Sequence, residues 1–130
     1  MTKSIFVFAT LAVTLFSCKK EKEEEVVTAA ITFNTPSAND TIPFGAAVHL
    51  TGTVSGSAEM HGYTVTFTNL TTGSDVFSEI HDVHAANYAL DYSWTNNVAD
   101  TSVVKLVVDV EKDHDGNMEM KEITVVCLPQ

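Results

Sequence analysis

Tyr63-Thr64-Val65-Thr66-Phe67-Thr68 alternates a large apolar side chain with threonine over six residues. Successive side chains of an extended chain point to opposite faces, so this stretch has one dry face and one wet face. Its β-branched and aromatic residues suit a pleated surface. A helix would scatter the same side chains around its circumference. The period of two recurs in Ala30-Ile31-Thr32-Phe33-Asn34. It recurs where Val48, Leu50, Gly52 and Val54 alternate with His49, Thr51 and Thr53, and again in Tyr88, Leu90, Tyr92 and Trp94. Val76 to Ile80 is a weaker run, Val103 to Val110 is rich in valine, and Met118 to Val126 closes the series. In this last run the apolar phase slips between Met120 and Ile123, which predicts a bulge near Lys121-Glu122.

Turn-forming clusters separate the runs: Pro36 to Asp40, Ser55-Gly56-Ser57, Thr71 to Ser74, Asn96-Asn97 and Asp113 to Asn117. About seven short strands spaced this way predict an all-β fold, an antiparallel immunoglobulin-like β-sandwich, with a small barrel as the runner-up. The expected core is Ile31, Phe33, Val48, Leu50, Val54, Tyr63, Val65, Phe67, Tyr88, Leu90, Tyr92, Trp94, Val104, Leu106, Val108, Ile123 and Val125. The stripe Tyr88-Tyr92-Trp94 has a second reading, a sugar-stacking platform on an outer face. Leu90 in the same stripe favours the core.

The first residues read differently. One lysine, Lys3, precedes an uncharged apolar run from Ile5 to Ser17, the layout of a secretory signal. That run is shorter than the roughly 20 residues a bilayer span needs. Leu15-Phe16-Ser17-Cys18 resembles the lipobox of bacterial lipoproteins, although Phe16 is bulkier than the pattern prefers. The resemblance implies cleavage before Cys18, lipidation of that cysteine and stable anchoring by more than one acyl chain. Residues 1–17 are then the signal peptide, 18–27 a lipidated, charged and disordered tether, and 28–130 the sandwich domain. Lys19 to Glu25 has mixed charge and no apolar partner. It resembles the export tract that sends some Gram-negative lipoproteins to the outer face of the outer membrane, and reads equally as a plain spacer. Fully extended, the tether reaches about 30 Å.

From Val26 onward the chain has three lysines, no arginine and thirteen acidic residues. Such a domain repels phosphate backbones and anionic lipid surfaces, so nucleic acid is excluded as a partner. Of the two cysteines, lipid would consume Cys18 and leave Cys127 in the apolar run Ile123 to Leu128. Cys127 therefore reads as a small buried hydrophobe without a disulfide partner. No G-x-S-x-G, no glycine-rich phosphate loop and no C-x-x-C is present, so the expectation is a protein that is not an enzyme.

Five histidines remain. His49 falls mid-strand on the expected wet face. His61, His81, His84 and His114 flank or lie in loops that an immunoglobulin-like fold brings to one pole. Asp82, Asp113 and Asp115 lie beside them. Imidazoles backed by carboxylates suit zinc or copper, with the aspartates orienting the rings. His81 and His84 would oppose each other on a strand, so both join one site only if the chain leaves extended geometry between them. Solvated loop histidines are the plain alternative. Asp113-x-Asp115-Gly116-Asn117 resembles the start of an EF-hand loop, but Met118 and Thr124 stand where that motif needs glycine and glutamate.

Cys18 with its charged tract, Pro43-x-Gly45, His81-x-x-His84, and Val108-x-Val110 leading into Asp113-His114-x-Gly116-Asn117 give the chain a family resemblance. It resembles small Gram-negative bacterial lipoproteins with one immunoglobulin-like, His-containing domain of unknown function. The resemblance implies an outer-membrane location, on the periplasmic or cell-surface face, and a fold, but no activity. Asp40-Thr41-Ile42 also resembles a short O-glycosylation sequon of such bacteria. Two functional readings stand: a membrane-anchored binding or adhesion module for a protein or glycan, and a zinc- or copper-binding lipoprotein. In either, the first strand starts at the histidine pole, so the candidate site would lie close to the tether.

Overall fold

The period-two runs become strands in a computed structural model that describes residues 25–130. The expected signal peptide, Cys18 and the tract as far as Glu24 lie outside the described residues. The strands are β1 (Ala29–Thr35), β2 (Thr41–Ile42), β3 (Ala47–Met60), β4 (Gly62–Asn69), β5 (Ser74–His81), β6 (Ala85–Thr95), β7 (Ser102–Glu111) and β8 (Met118–Cys127). They form a three-stranded sheet, β1-β3-β6, and a five-stranded sheet, β2-β8-β7-β4-β5. All pairings are antiparallel except β2 with β8. The fold is the expected immunoglobulin-like sandwich, two separate sheets rather than a closed barrel. The two-residue β2 has too little sequence to carry a period, yet it carries the chain from the first sheet to the edge of the second.

The inner faces are dry. Val48, Leu50, Val54 and Leu90 of one sheet meet Val65, Phe67, Val104, Leu106, Val108, Val110 and Val125 of the other, all at most 2% exposed. Cys127 is fully buried as expected, and burial pushes its thiol up. Tyr88, Tyr92 and Trp94 lie on the inward face of β6 and are half-buried, so the stripe packs on the core rather than forming an outer platform. They are only partly covered because β6 is a sheet edge. The Tyr63 and Tyr92 hydroxyls hydrogen-bond to each other, which lets both rings sit inside.

Two expectations fail. Ser55-Gly56-Ser57 is no turn: β3 runs on to Met60, with its register against β6 broken between Ser55 and Met60. β1 still pairs with Ser55 and Gly56, so the ladder supports these small residues. A side chain on Gly56 would come within 3.0 Å of the sulfur of Met60, which is fully buried in the space left open. The bulge near Lys121-Glu122 is also absent, since β7 and β8 pair without interruption from Ser102↔Cys127 to Glu111↔Met118. Here polar residues occupy inward positions. The Lys121 amine donates to the Ile31 carbonyl at 3.1 Å and lies 5.4 Å over the Phe33 ring, and Glu119 faces Lys112 at 3.8 Å. Met118 and Met120 consequently face out.

Buried Asn96 ties one pole together. Its amide donates to the carbonyls of Ile42 and Leu128, and its side-chain oxygen accepts from the Val98 N–H. Leu106→Ala should cost about 3 kcal/mol in chemical denaturation, because the site cannot collapse around the void. Val103→Ala, 40% exposed on the other face of the same strand, should change stability by less than about 0.5 kcal/mol.

Candidate functional site

The opposite pole collects the histidines. His61 is the single residue between β3 and β4, Asp82 to His84 link β5 to β6, and Lys112 to Asn117 link β7 to β8. Antiparallel pairing brings these three connections to the end where β1 begins, opposite Gly56. The His61 ring lies 3.7 Å from that of His114, tilted by 35°, and 5.2 Å from that of His84, nearly edge-on. His84 has carboxylates at both nitrogens, Asp82 at 3.2 Å and Glu59 at 3.7 Å. The Nδ1 of His61 is buried without a hydrogen-bond partner.

Three of the four predicted histidines therefore meet, from three loops. The fourth does not. His81 ends β5 opposite Tyr63, faces inward, stacks on the Tyr63 ring at 4.8 Å and holds Glu79 at 3.1 Å. His49 pairs with Asp91 at 2.6 Å on the outer face of the small sheet, away from the pole. Asp82 lies 3.2 Å from His84. Asp113 instead caps its own turn: it accepts from the N–H groups of Asp115 and Asn117 and from the Asn117 amide. Those bonds, the Asn117 side chain first, hold its carboxyl below the usual range. Asp115 is exposed in the same turn. Among the described residues, no group of three or more His, Cys, Asp or Glu side chains is arranged to hold a metal ion as placed. The His61 and His114 rings pack face against face rather than edge to edge, whereas imidazole lone pairs lie in the ring plane.

Two hollows flank the pole. One, of about 340 Å³, lies between Glu25 to Val27 and the turn residues Asp113, Asp115 and Asn117, so the chain enters the domain beside the histidines. The other, of about 220 Å³, opens on the outer face of the five-stranded sheet. Its floor is Gly62 and Thr64, and its walls include Ile80, Asp109, Glu111 and Met118. Gly62 sits at φ +153°, and a side chain there would meet the His81 carbonyl at 2.7 Å. Only glycine fits at this point of the hollow's lining. Asp109 stands between Thr64 and Met120 in the ladder, with its Oδ1 buried and unpartnered. Glu59, Asp109, Ile80 and the two outward methionines were not singled out from the sequence. Only the strand register places them together, and no local pattern carries it.

No family model and no curated protein matches the chain. Among solved structures, it is similar to the CARDB domain of a protein from Pyrococcus furiosus, determined in complex with di-metal ions. The two are 12% identical, with 79% of this chain and 94% of that chain covered, at a TM-score of 0.43.

Asp113 makes the turn acid-sensitive. Its folded pKa is depressed, so its contribution is present above the unfolded value and is lost as pH falls through the lowered folded value. In an NMR titration, the Asp113 carboxyl carbon should titrate below the ordinary aspartate range, and the amide signals of Asp115 and Asn117 should move with the same midpoint. In Asn117→Ala the midpoint should move back up. A midpoint unaffected by that change would remove the capping assignment.

Proposed function

We propose that the protein is a lipoprotein held to the bacterial outer membrane through Cys18, on its periplasmic or cell-surface face. Its sandwich domain works as a non-catalytic binding or adhesion module for a protein or glycan. One observation carries the binding reading. Ile80, Met118 and Met120 are 81%, 47% and 58% exposed on one face of the five-stranded sheet. Ile80 and Met120 end a single cross-strand row, Ile80-Thr64-Asp109-Met120, about 14 Å long at ordinary strand spacing. Single exposed apolar residues are normal, whereas large ones grouped beside a hollow are a feature of interaction sites. The lipid anchor rests on the resemblance of Leu15 to Cys18 to a lipobox.

Cells carrying the full chain with a photo-crosslinking residue at position 80 or 120 should yield discrete adducts. Placed at Thr53, exposed on the outer face of the other sheet, the same residue should yield none. Adducts independent of position, or none anywhere, would remove the binding reading. Cys18→Ala should release the protein from the membrane fraction, and its continued presence there would remove the anchor.

A second reading is favoured by the meeting of His61, His84 and His114. Rotation of these side chains would turn three imidazoles toward one zinc or copper(II) ion, His84 giving one nitrogen to the ion and keeping a single carboxylate, Asp82 or Glu59, at the other. Titrating the full chain in detergent with either ion should then give one equivalent bound. His84→Ala and His114→Ala should abolish it, and His81→Ala should leave it intact. Stoichiometric binding that survives both of the first two changes would sink this reading.

A further inference from the structure

The hollow on the outer face of the five-stranded sheet is shaped for one kind of guest. At about 220 Å³ it is smaller than the roughly 300–1,000 Å³ of small-molecule and cofactor sites. It is several times the roughly 30 Å³ share of one water. That volume suits a single side chain of a partner. Ile80 and Met118 give it apolar walls, and Asp109 and Glu111 give it carboxylates. The two acids are i and i+2 on β7 and so face the same way, about 7 Å apart.

No lysine reaches these carboxylates; His61 and His81 also line the hollow, the latter with its ring held between Glu79 and Tyr63. The described residues contain three lysines, and each is engaged elsewhere: Lys105 with Glu122 at 3.7 Å, Lys112 with Glu119 at 3.8 Å and Lys121 with the Ile31 carbonyl at 3.1 Å. Asp109 Oδ1 is buried with no hydrogen-bond partner. A buried carboxylate oxygen without a donor is costly, and a charged donor in the hollow relieves that cost once the half-buried Asp109 side chain turns this oxygen toward it.

We propose that this hollow is the anchor pocket for a basic side chain, arginine in first place, of a protein partner that also covers Ile80, Met118 and Met120. An alkyl stem lies along the apolar walls while the charged head meets the acids. The guanidinium is preferred to an ammonium because its rigid fork of donors engages Asp109 and still reaches toward Glu111. A domain with thirteen acidic residues and three lysines beyond Val26 also draws cationic partners toward it. The inference rests on the binding-module reading and names the chemistry of the partner.

The test uses isotope-labelled full chain in detergent micelles, titrated with the peptide acetyl-Leu-Arg-Leu-amide. Its counterpart carries citrulline, which keeps the shape of arginine and removes the charge. The arginine peptide should shift the amide signals of Gly62, Thr64, Ile80, Asp109 and Met118 in a saturable way. The citrulline peptide should bind at least about ten-fold more weakly, and Asp109→Asn should weaken the arginine peptide by a similar factor. That substitution keeps the size of the side chain, and an unchanged melting temperature confirms that the fold survives. Equal binding of both peptides, or shifts spread evenly over the acidic surface, would overturn the proposal. So would peptide binding that appears only after Lys19, Lys20 and Lys22 are changed to glutamine, because the chain's own tract would then be the occupant. If adducts form at positions 80 and 120 while the arginine peptide fails, the binding module stands and this pocket assignment falls.

Discussion

The whole molecule depends on the apolar contact between the inner faces of its two sheets. Val104, Leu106, Val108 and Val110 of β7 are fully buried. A period of two leaves no freedom for what lies between them: Lys105, Val107, Asp109 and Glu111 must face outward. β7 sits between β4 and β8, so its outward residues form the centre of the outer face. The requirement for a dry core thereby places two carboxylates in the middle of a sheet, flanked by Thr64 and Gly62 on one side and Met120 and Met118 on the other. The candidate binding face is a by-product of the core pattern, with a hollow whose lining includes a position that only glycine fits.

The two poles are built on opposite principles. At one end the Asn96 side chain satisfies two carbonyls and one N–H from three segments. Such a buried polar network fixes a unique arrangement only when its members are satisfied. At the other end lie three histidine rings, an unpartnered His61 Nδ1 and a turn capped by one carboxylate. Hydrogen bonds close the first pole. The second keeps unused donor and acceptor capacity, and that is where ligand chemistry has room to act. Cys127, the one cysteine among the described residues, is unpaired, so stability rests on apolar burial and this single closed pole.

Much of the fold was legible because alternation is a local signal. All seven strand readings lie wholly inside the observed strands; six needed only their ends extended, and the one ending at Val54 proved far longer. The failures have a common cause. Ser55-Gly56-Ser57 reads as a turn when taken alone, but the pairing with β1 keeps it extended. Lys121 looks like an outward residue until the Ile31 carbonyl and the Phe33 ring, ninety and eighty-eight positions away in sequence, supply its partners. Topology was enough to bring His61, His84 and His114 together. It was not enough for His81, whose inward position opposite Tyr63 follows from the β4–β5 register. The outer-face hollow was invisible for the same reason, since it joins residues from four strands.

The two candidate sites also differ in how the proposed anchor would affect them. The chain enters the domain beside the histidine pole, with Glu25 to Val27 against the turn that carries Asp113. In the anchored reading this pole faces the membrane, at the end of a tether of at most about 30 Å. Charge repulsion from an anionic surface decays over about 8 Å at physiological salt. The acidic domain therefore gains nothing by resting on the lipid and is free to stand off at the tether's length. The face carrying Ile80, Asp109 and Met120 is the outer face of a sheet. Its normal is roughly perpendicular to the strands, so it opens sideways in every orientation in which the strands point away from the membrane. A partner reaches that face without passing the lipid, whereas a ligand for the histidine pole must enter the gap that the tether spans.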